Sequence, residues 1–127
     1  MLEPVIPTNH PHRPHLAALR GELEQRWCAE TSFWPEEWTS ERPSVGQCAV
    51  TAMLVWDRFG GEMLRTVNQG VPHYWNRLKG VEVDLTRDQY DVWAPEEEVV
   101  VADRYEVESS GPTLEARYRR LVSSVEQ

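Results

Sequence analysis

The apolar residues of this chain are patterned for an α+β fold, in which a buried central helix lies on a small antiparallel sheet. From Cys48 to Trp56 only Thr51 is polar, which marks a helix buried all round rather than on one face. Residues 73–78 and 81–86 flank Lys79-Gly80 as two strands of a hairpin. Apolar residues at three- and four-residue intervals near both ends add amphipathic helices.

Taken in order, residues 1–14 hold four prolines and no periodic apolar pattern, so they form an extended or mobile lead-in. Its histidines, His10 and His12, with His15 just after, have no carboxylate or cysteine at ligand spacing and are expected to be solvated. Leu16, Leu19, Leu23 and Trp27 line one face of a helix over 15–30, with Cys28 as a small buried hydrophobe within it. Residues 31–46 combine Phe33, Trp34 and Trp38 with Pro35 and Pro43, the mark of an irregular segment crossing the surface. Pro43, Ser44 and Gly46 supply turn chemistry before the central helix, which starts at or just before Cys48 and ends at Gly60-Gly61. A strand over 62–67 leads through Asn68–Pro72 into the hairpin. A short turn or helix after Arg87 carries Gln89 and Tyr90. Residues 91–112 are acidic and mostly loop, with one strand around 98–103, and a helix over 113–125 closes the chain with Leu114, Tyr118, Leu121 and Val125 on one face.

Composition narrows the function classes. The chain has 127 residues, 40% apolar and 27% charged, the profile of a globular protein. One domain over 15–127 is expected, large enough to bury a core without staples. Twenty-one acidic against thirteen basic residues give a formal charge of −8, and no basic patch offsets it, so nucleic acid is not an expected partner. No stretch approaches the ~20 apolar residues needed to span a bilayer, and the opening residues lack a secretory layout. A cytoplasmic protein with no membrane partner is the expectation; the oligomeric state is open. Two cysteines without metal-ligand spacing argue against a disulfide framework or a metal centre, and Gly60-Gly61 fits no phosphate-binding loop. No cofactor is expected.

Chemistry concentrates at Cys48, His73 and Asp84. A cysteine at a helix N-terminus sits among unpaired N–H groups and the positive end of the helix dipole, which stabilises its thiolate. If Lys79-Gly80 is a two-residue turn, His73, Trp75, Arg77, Glu82, Asp84 and Thr86 share one face of the hairpin. His73 and Asp84 are then diagonal neighbours ~7–8 Å apart at the backbone, so Asp84 fixes the imidazole tautomer while the other nitrogen serves Cys48. Asn76 falls on the opposite face. A turn one residue longer would reverse this parity. The face of Tyr74, Leu78, Val81, Val83 and Leu85 is the more apolar, and should it cover the central helix, His73 would point away from Cys48 unless it projects from the strand's end. The Cys48 backbone N–H is the expected oxyanion donor with Gln47 as helper, and Trp38, Trp75 and Asn76 are further candidates for substrate or oxyanion contacts.

The strings Gly46-Gln47-Cys48-Ala49-Val50-Thr51-Ala52, Phe59-Gly60-Gly61-Glu62, His73-Tyr74-Trp75-Asn76-Arg77-Leu78 and Glu82–Gln89 resemble the small bacterial YunG-like family over roughly residues 40–90. A cysteine, then a histidine followed two residues later by tryptophan, then an aspartate on the next strand also resembles the core of papain-like and transglutaminase-like cysteine enzymes. That second resemblance implies Cys48 as nucleophile, His73 as base and Asp84 as orienter. Papain-like proteases place their oxyanion glutamine several residues before the cysteine, whereas Gln47 is adjacent. The expected activity is thiol-dependent acyl transfer on an amide or ester, in a small molecule, a peptide or a protein side chain. Two other readings stand beside it: a non-catalytic binding or adaptor protein with Trp34, Trp38, Trp75 and Trp93 as an aromatic recognition surface, and a thiol redox sensor at Cys48.

Overall fold

A computed structural model describes residues 1–126. Helix α1 (Arg13–Arg26) opens with Pro14 in its first turn, where the missing N–H costs nothing. It buries Leu16, Leu19, Arg20 and Leu23 and ends at Trp27, whose extended backbone (φ −55°, ψ 138°) leaves the helix. Cys28 therefore lies outside the helix expected to contain it. It is half-buried and precedes a single 3₁₀ turn at Ala29–Thr31, where Thr31 Oγ1 bonds the Cys28 backbone.

Helix α2 (Cys48–Phe59) forms the middle layer of an α+β domain. One side packs on the sheet and the other on α4 (Leu114–Val125), which also meets α1. Its one polar interior residue, Thr51, accepts a hydrogen bond from the Trp27 indole at 3.1 Å, so burial leaves no hydroxyl unpaired. Gly60 caps the helix with φ +73°.

Strands β1 (Glu62–Asn68), β2 (Val71–Leu78), β3 (Val81–Val83) and β4 (Val100–Ala102) form one antiparallel sheet in the order β3-β2-β1-β4. Lys79 and Gly80 both have positive φ, 52° and 77°, as a two-residue type I′ turn requires. The register is Leu78 with Val81, Arg77 with Glu82 and Asn76 with Val83. Tyr74, Leu78 and Val83 belong to the core under α2, and the Asn76 amide donates to the Ala52 carbonyl at 3.0 Å. The more apolar face of the hairpin thus covers the helix.

β3 stops three residues short of the expected strand, and Asp84 exchanges both backbone hydrogen bonds with Val5, at 2.8 and 2.9 Å, on the edge of the hairpin away from β2. The opening segment therefore lies against the sheet. The Leu2 N–H reaches the Tyr90 carbonyl at 2.8 Å, and His10, 5% exposed rather than solvated, bonds the Leu78 carbonyl at 3.0 Å. Beyond β3 the chain makes a 3₁₀ turn at Arg87–Gln89 and crosses the outer sheet face, held where Asn68 bonds Val92 and Ala94 and Thr66 bonds Glu97. Within the acidic stretch expected to be mostly loop lies the short helix α3 (Arg104–Glu108), capped by the Asp103 carboxylate accepting from the Glu106 N–H at 2.8 Å. No helix among the described residues is long and apolar enough to cross a membrane.

Gly60 and Gly61 both sit at φ +73°, but only a Cβ at Gly61 would meet backbone, the Arg77 carbonyl at 2.4 Å. Gly60→Ala is expected to cost about 1–3 kcal/mol of conformational strain, and Gly61→Ala clearly more, read as the difference in urea midpoints at unchanged m-value.

Candidate functional site

The short β3 creates the site. With Leu78 and Val81 flanking a two-residue turn, the backbone groups of Leu78, Asn76 and Tyr74 face β3. β3 ends at Val83, so the Tyr74 N–H has no strand partner and is directed at the Cys48 sulfur. The N-terminus of α2 lies against this open edge. Cys48 reaches past it to His73, which stands on the outer face, and that is how the two meet although the opposite face covers the helix.

His73 is fully buried. The Trp75 ring stacks on it at 5.4 Å and 16°, while Tyr90 and Trp93 meet it edge-on at 5.0 and 5.4 Å. This aromatic box leaves the imidazole few rotamers. Its Nε2 lies 2.7 Å from Asp84 Oδ2, leaving Nδ1 for the sulfur. Asp84 is itself immobilised: Oδ1 accepts from the Thr86 N–H at 3.0 Å and the Thr86 hydroxyl at 3.3 Å, and Oδ2 accepts from Arg87 Nε at 2.8 Å. The Arg87 guanidinium in turn lies 3.6 Å from the Trp93 ring centre.

Charge follows this geometry. Burial works against an imidazolium at His73, but the Asp84 carboxylate and the Cys48 sulfur outweigh it and push the pKa up to about 9. Burial likewise raises the Cys48 pKa, yet the hydrogen bond and charge of His73 and the Tyr74 N–H bring it below the usual thiol range. At Asp84, burial is outweighed by His73 and Arg87, so the carboxyl stays ionised. The three shifts run the same way, toward a thiolate–imidazolium pair backed by a carboxylate. Cys48 is only partly buried and opens onto a cleft with a cavity volume of about 230 Å³. Both cysteines are free thiols.

The remaining candidates lie elsewhere. Gln47 is fully buried and its amide donates to the Cys28 carbonyl at 3.0 Å, which removes that donor from the sulfur's surroundings. Asn76 is turned into the core, the Trp75 indole donates to Glu82 at 2.7 Å, and Trp38 donates to the Pro43 carbonyl at 2.9 Å. None of the four lines the cleft. Of the tryptophans grouped as a recognition surface, Trp75 and Trp93 pack on His73, and Trp34 alone lines the cleft.

Three cleft residues were not singled out by sequence. Gln89 accepts from the Gly46 N–H at 3.2 Å, donates to Thr86 Oγ1 at 3.3 Å, and places its amide nitrogen 3.5 Å from His73 Nδ1, joining the segment before Cys48 to the imidazole. The turn bearing it is held by Arg20, which bonds Asp88 through both guanidinium nitrogens at 3.0 and 2.6 Å. Arg65 and Arg117 also line the cleft. Arg117 sits on the apolar face of α4 between Leu114 and Leu121, and an arginine interrupting such a stripe is a readable signal. Among the described residues no cluster of side chains is arranged to hold a metal ion.

An α+β domain that sets a helix-terminal cysteine beside a buried histidine–aspartate pair is the class defined here. The chain belongs to the YunG protein family, which matches residues 15–127. It is 40% identical over 68 residues to the uncharacterized protein YunG of Bacillus subtilis (strain 168). That stretch covers 54% of this chain and 56% of the relative, so the match spans about half the length of each. No solved structure matches the chain.

Because the Asp84 charge holds the proton on His73, Asp84→Asn is expected to bring the His73 pKa down from about 9 and the Cys48 pKa up. Imidazole NMR titration reads the first change. The midpoint of the pH dependence of Cys48 alkylation reads the second, and an unmoved midpoint would contradict the pairing.

Proposed function

We propose that this protein is a cysteine-dependent acyl-transfer enzyme acting on amide or ester bonds, with a papain-like or transglutaminase-like arrangement of its reacting groups. The observation that carries the proposal is the series of contacts Cys48–His73–Asp84 at the mouth of an open cleft. The Cys48 thiolate adds to the carbonyl carbon, forming the C–S bond and moving the carbonyl π electrons onto oxygen. The first-turn N–H groups of α2, which have no intrahelical acceptor, face that developing charge. As the tetrahedral centre collapses, the His73 imidazolium gives its proton to the leaving nitrogen or oxygen and that bond breaks. A thioester and neutral imidazole remain. His73 then takes a proton from water or an amine as it attacks the thioester, the C–S bond breaks, and the thiolate–imidazolium pair is restored.

In this reading Asp84 holds the imidazole and stabilises its charge, and the aromatic box excludes water from it. Tyr90, whose pKa is raised by burial and by the charges of Cys48 and Asp84, stays a neutral phenol in the cleft wall. The substrate is a small molecule or a peptide segment, since the cavity of about 230 Å³ admits little more than one side chain's worth of atoms.

p-Nitrophenyl acetate supplies a generic acyl group for a test. An early burst of one p-nitrophenol per chain is expected, with an acetyl group on the Cys48 peptide by mass spectrometry and neither in Cys48→Ala. Absence of the adduct on the native protein would overturn the proposal. Amide turnover is expected to be bell-shaped in pH. The rate falls on the acid side as the Cys48 thiolate is protonated, below the usual thiol range, and on the alkaline side near pH 9 as His73 loses the proton required by the leaving group.

A further inference from the structure

Two arginines of this chain are buried, and they are treated differently. Arg20 is neutralised by the bidentate Asp88 carboxylate. Arg117, 6% exposed, has no carboxylate within 4 Å among the described residues. Its Nε donates to Thr113 Oγ1 at 3.1 Å and its Nη1 to the Thr31 carbonyl at 3.5 Å, while Nη2 has no hydrogen-bond partner there. The guanidinium lies over the Phe33 ring, 5.7 Å from its centre, and has room for an anion that no carboxylate of the described residues supplies. Burial acts against its charge and outweighs the favourable influence of the Cys48 sulfur.

The cleft around it has the same bias. Arg65, on β1, lines it beside Tyr74, its cross-strand partner on β2, and carries no ion pair among the described residues. Arg77, Arg87, Arg104 and Arg119 are each paired with a carboxylate. No aspartate or glutamate lines the cleft in a chain of net charge −8. Phe33, Trp34, Tyr74 and Tyr90 supply its aromatic wall. We infer that the cleft takes a substrate bearing a carboxylate, gripped by Arg117 and attracted by Arg65, with a short apolar skeleton between that group and the carbonyl presented to Cys48. Nη2, the guanidinium nitrogen left unpaired, can donate a charge-assisted hydrogen bond to a carboxylate. The inference rests on the thiol chemistry proposed above and narrows it to small carboxylate-bearing amides or esters.

Iodoacetate and iodoacetamide differ by this one group, and both alkylate a thiolate with loss of iodide. The Cys48 rate with each is measured on the full chain by peptide mass spectrometry and divided by the rate of glutathione with the same reagent. The expected result is a normalised preference for iodoacetate of about tenfold or more, the scale of one charge-assisted hydrogen bond. It should be lost in Arg117→Gln and reduced in Arg65→Gln. Should Arg117→Gln fail to fold, the native preference and Arg65→Gln still decide. Rapid iodoacetamide labelling of Cys48 with no iodoacetate preference would overturn the carboxylate assignment and leave the thiolate reading intact. A preference surviving in folded Arg117→Gln would overturn the role of Arg117. If neither reagent labels Cys48 faster than glutathione, the thiolate reading fails and the assignment with it.

Discussion

The premature end of β3 is the constraint from which the site follows. Had the hairpin run on, the Tyr74 N–H would have met a strand partner, and the edge of β2 would have been closed to α2. Instead Val83 is the last residue of the ladder, and Leu85, which would have stood opposite Tyr74, gives its carbonyl to Arg20 at 2.6 Å. The early end of the ladder opens the β2 edge to Cys48 and leaves the Tyr74 N–H for the sulfur, while Asp84, held by Val5 on the opposite edge, presents its carboxylate to His73. Alternation along a pleated strand places His73 and Tyr74 on opposite faces, so a helix covering the Tyr74 face reaches His73 only around an open edge.

The polar groups gathered there are satisfied to an unusual degree for so small a domain. Asp84 accepts hydrogen bonds from His73, Thr86 and Arg87, and Arg20 clamps the following turn through Asp88. Buried ionic groups are tolerated only when each has its partners. Arg117, with no carboxylate partner among the described residues, departs from that pattern beside the cleft.

Much of the fold was legible because its signals are local. The apolar run and the Gly60-Gly61 pair delimit α2, and a Lys-Gly turn with positive φ at both residues sets the hairpin register. That register is why His73 and Asp84 could be placed on one face. What escaped depends on contacts distant in sequence. Nothing near Asp84 announces that it pairs with Val5, and nothing near His10 announces that it packs on Leu78. The position of Cys28 was misread because the apolar spacing continues through Trp27 while the backbone does not. Helix α3 carried a readable signal, Asp103 three residues before Glu106, masked by the acidity of its surroundings. The face of the hairpin that covers α2 was not decided by composition alone, since the outer face is nearly as buried once residues 86–97 cross it.

The pairing of Val5 with Asp84 makes the first residues a brace for the reacting groups. If that segment peeled away, Asp84 would lose both backbone anchors, and Tyr90 would lose the Leu2 contact that helps seat its ring against His73. A handful of amino-terminal residues, remote from the sulfur along the chain, thus hold the carboxylate and the aromatic wall in register with each other.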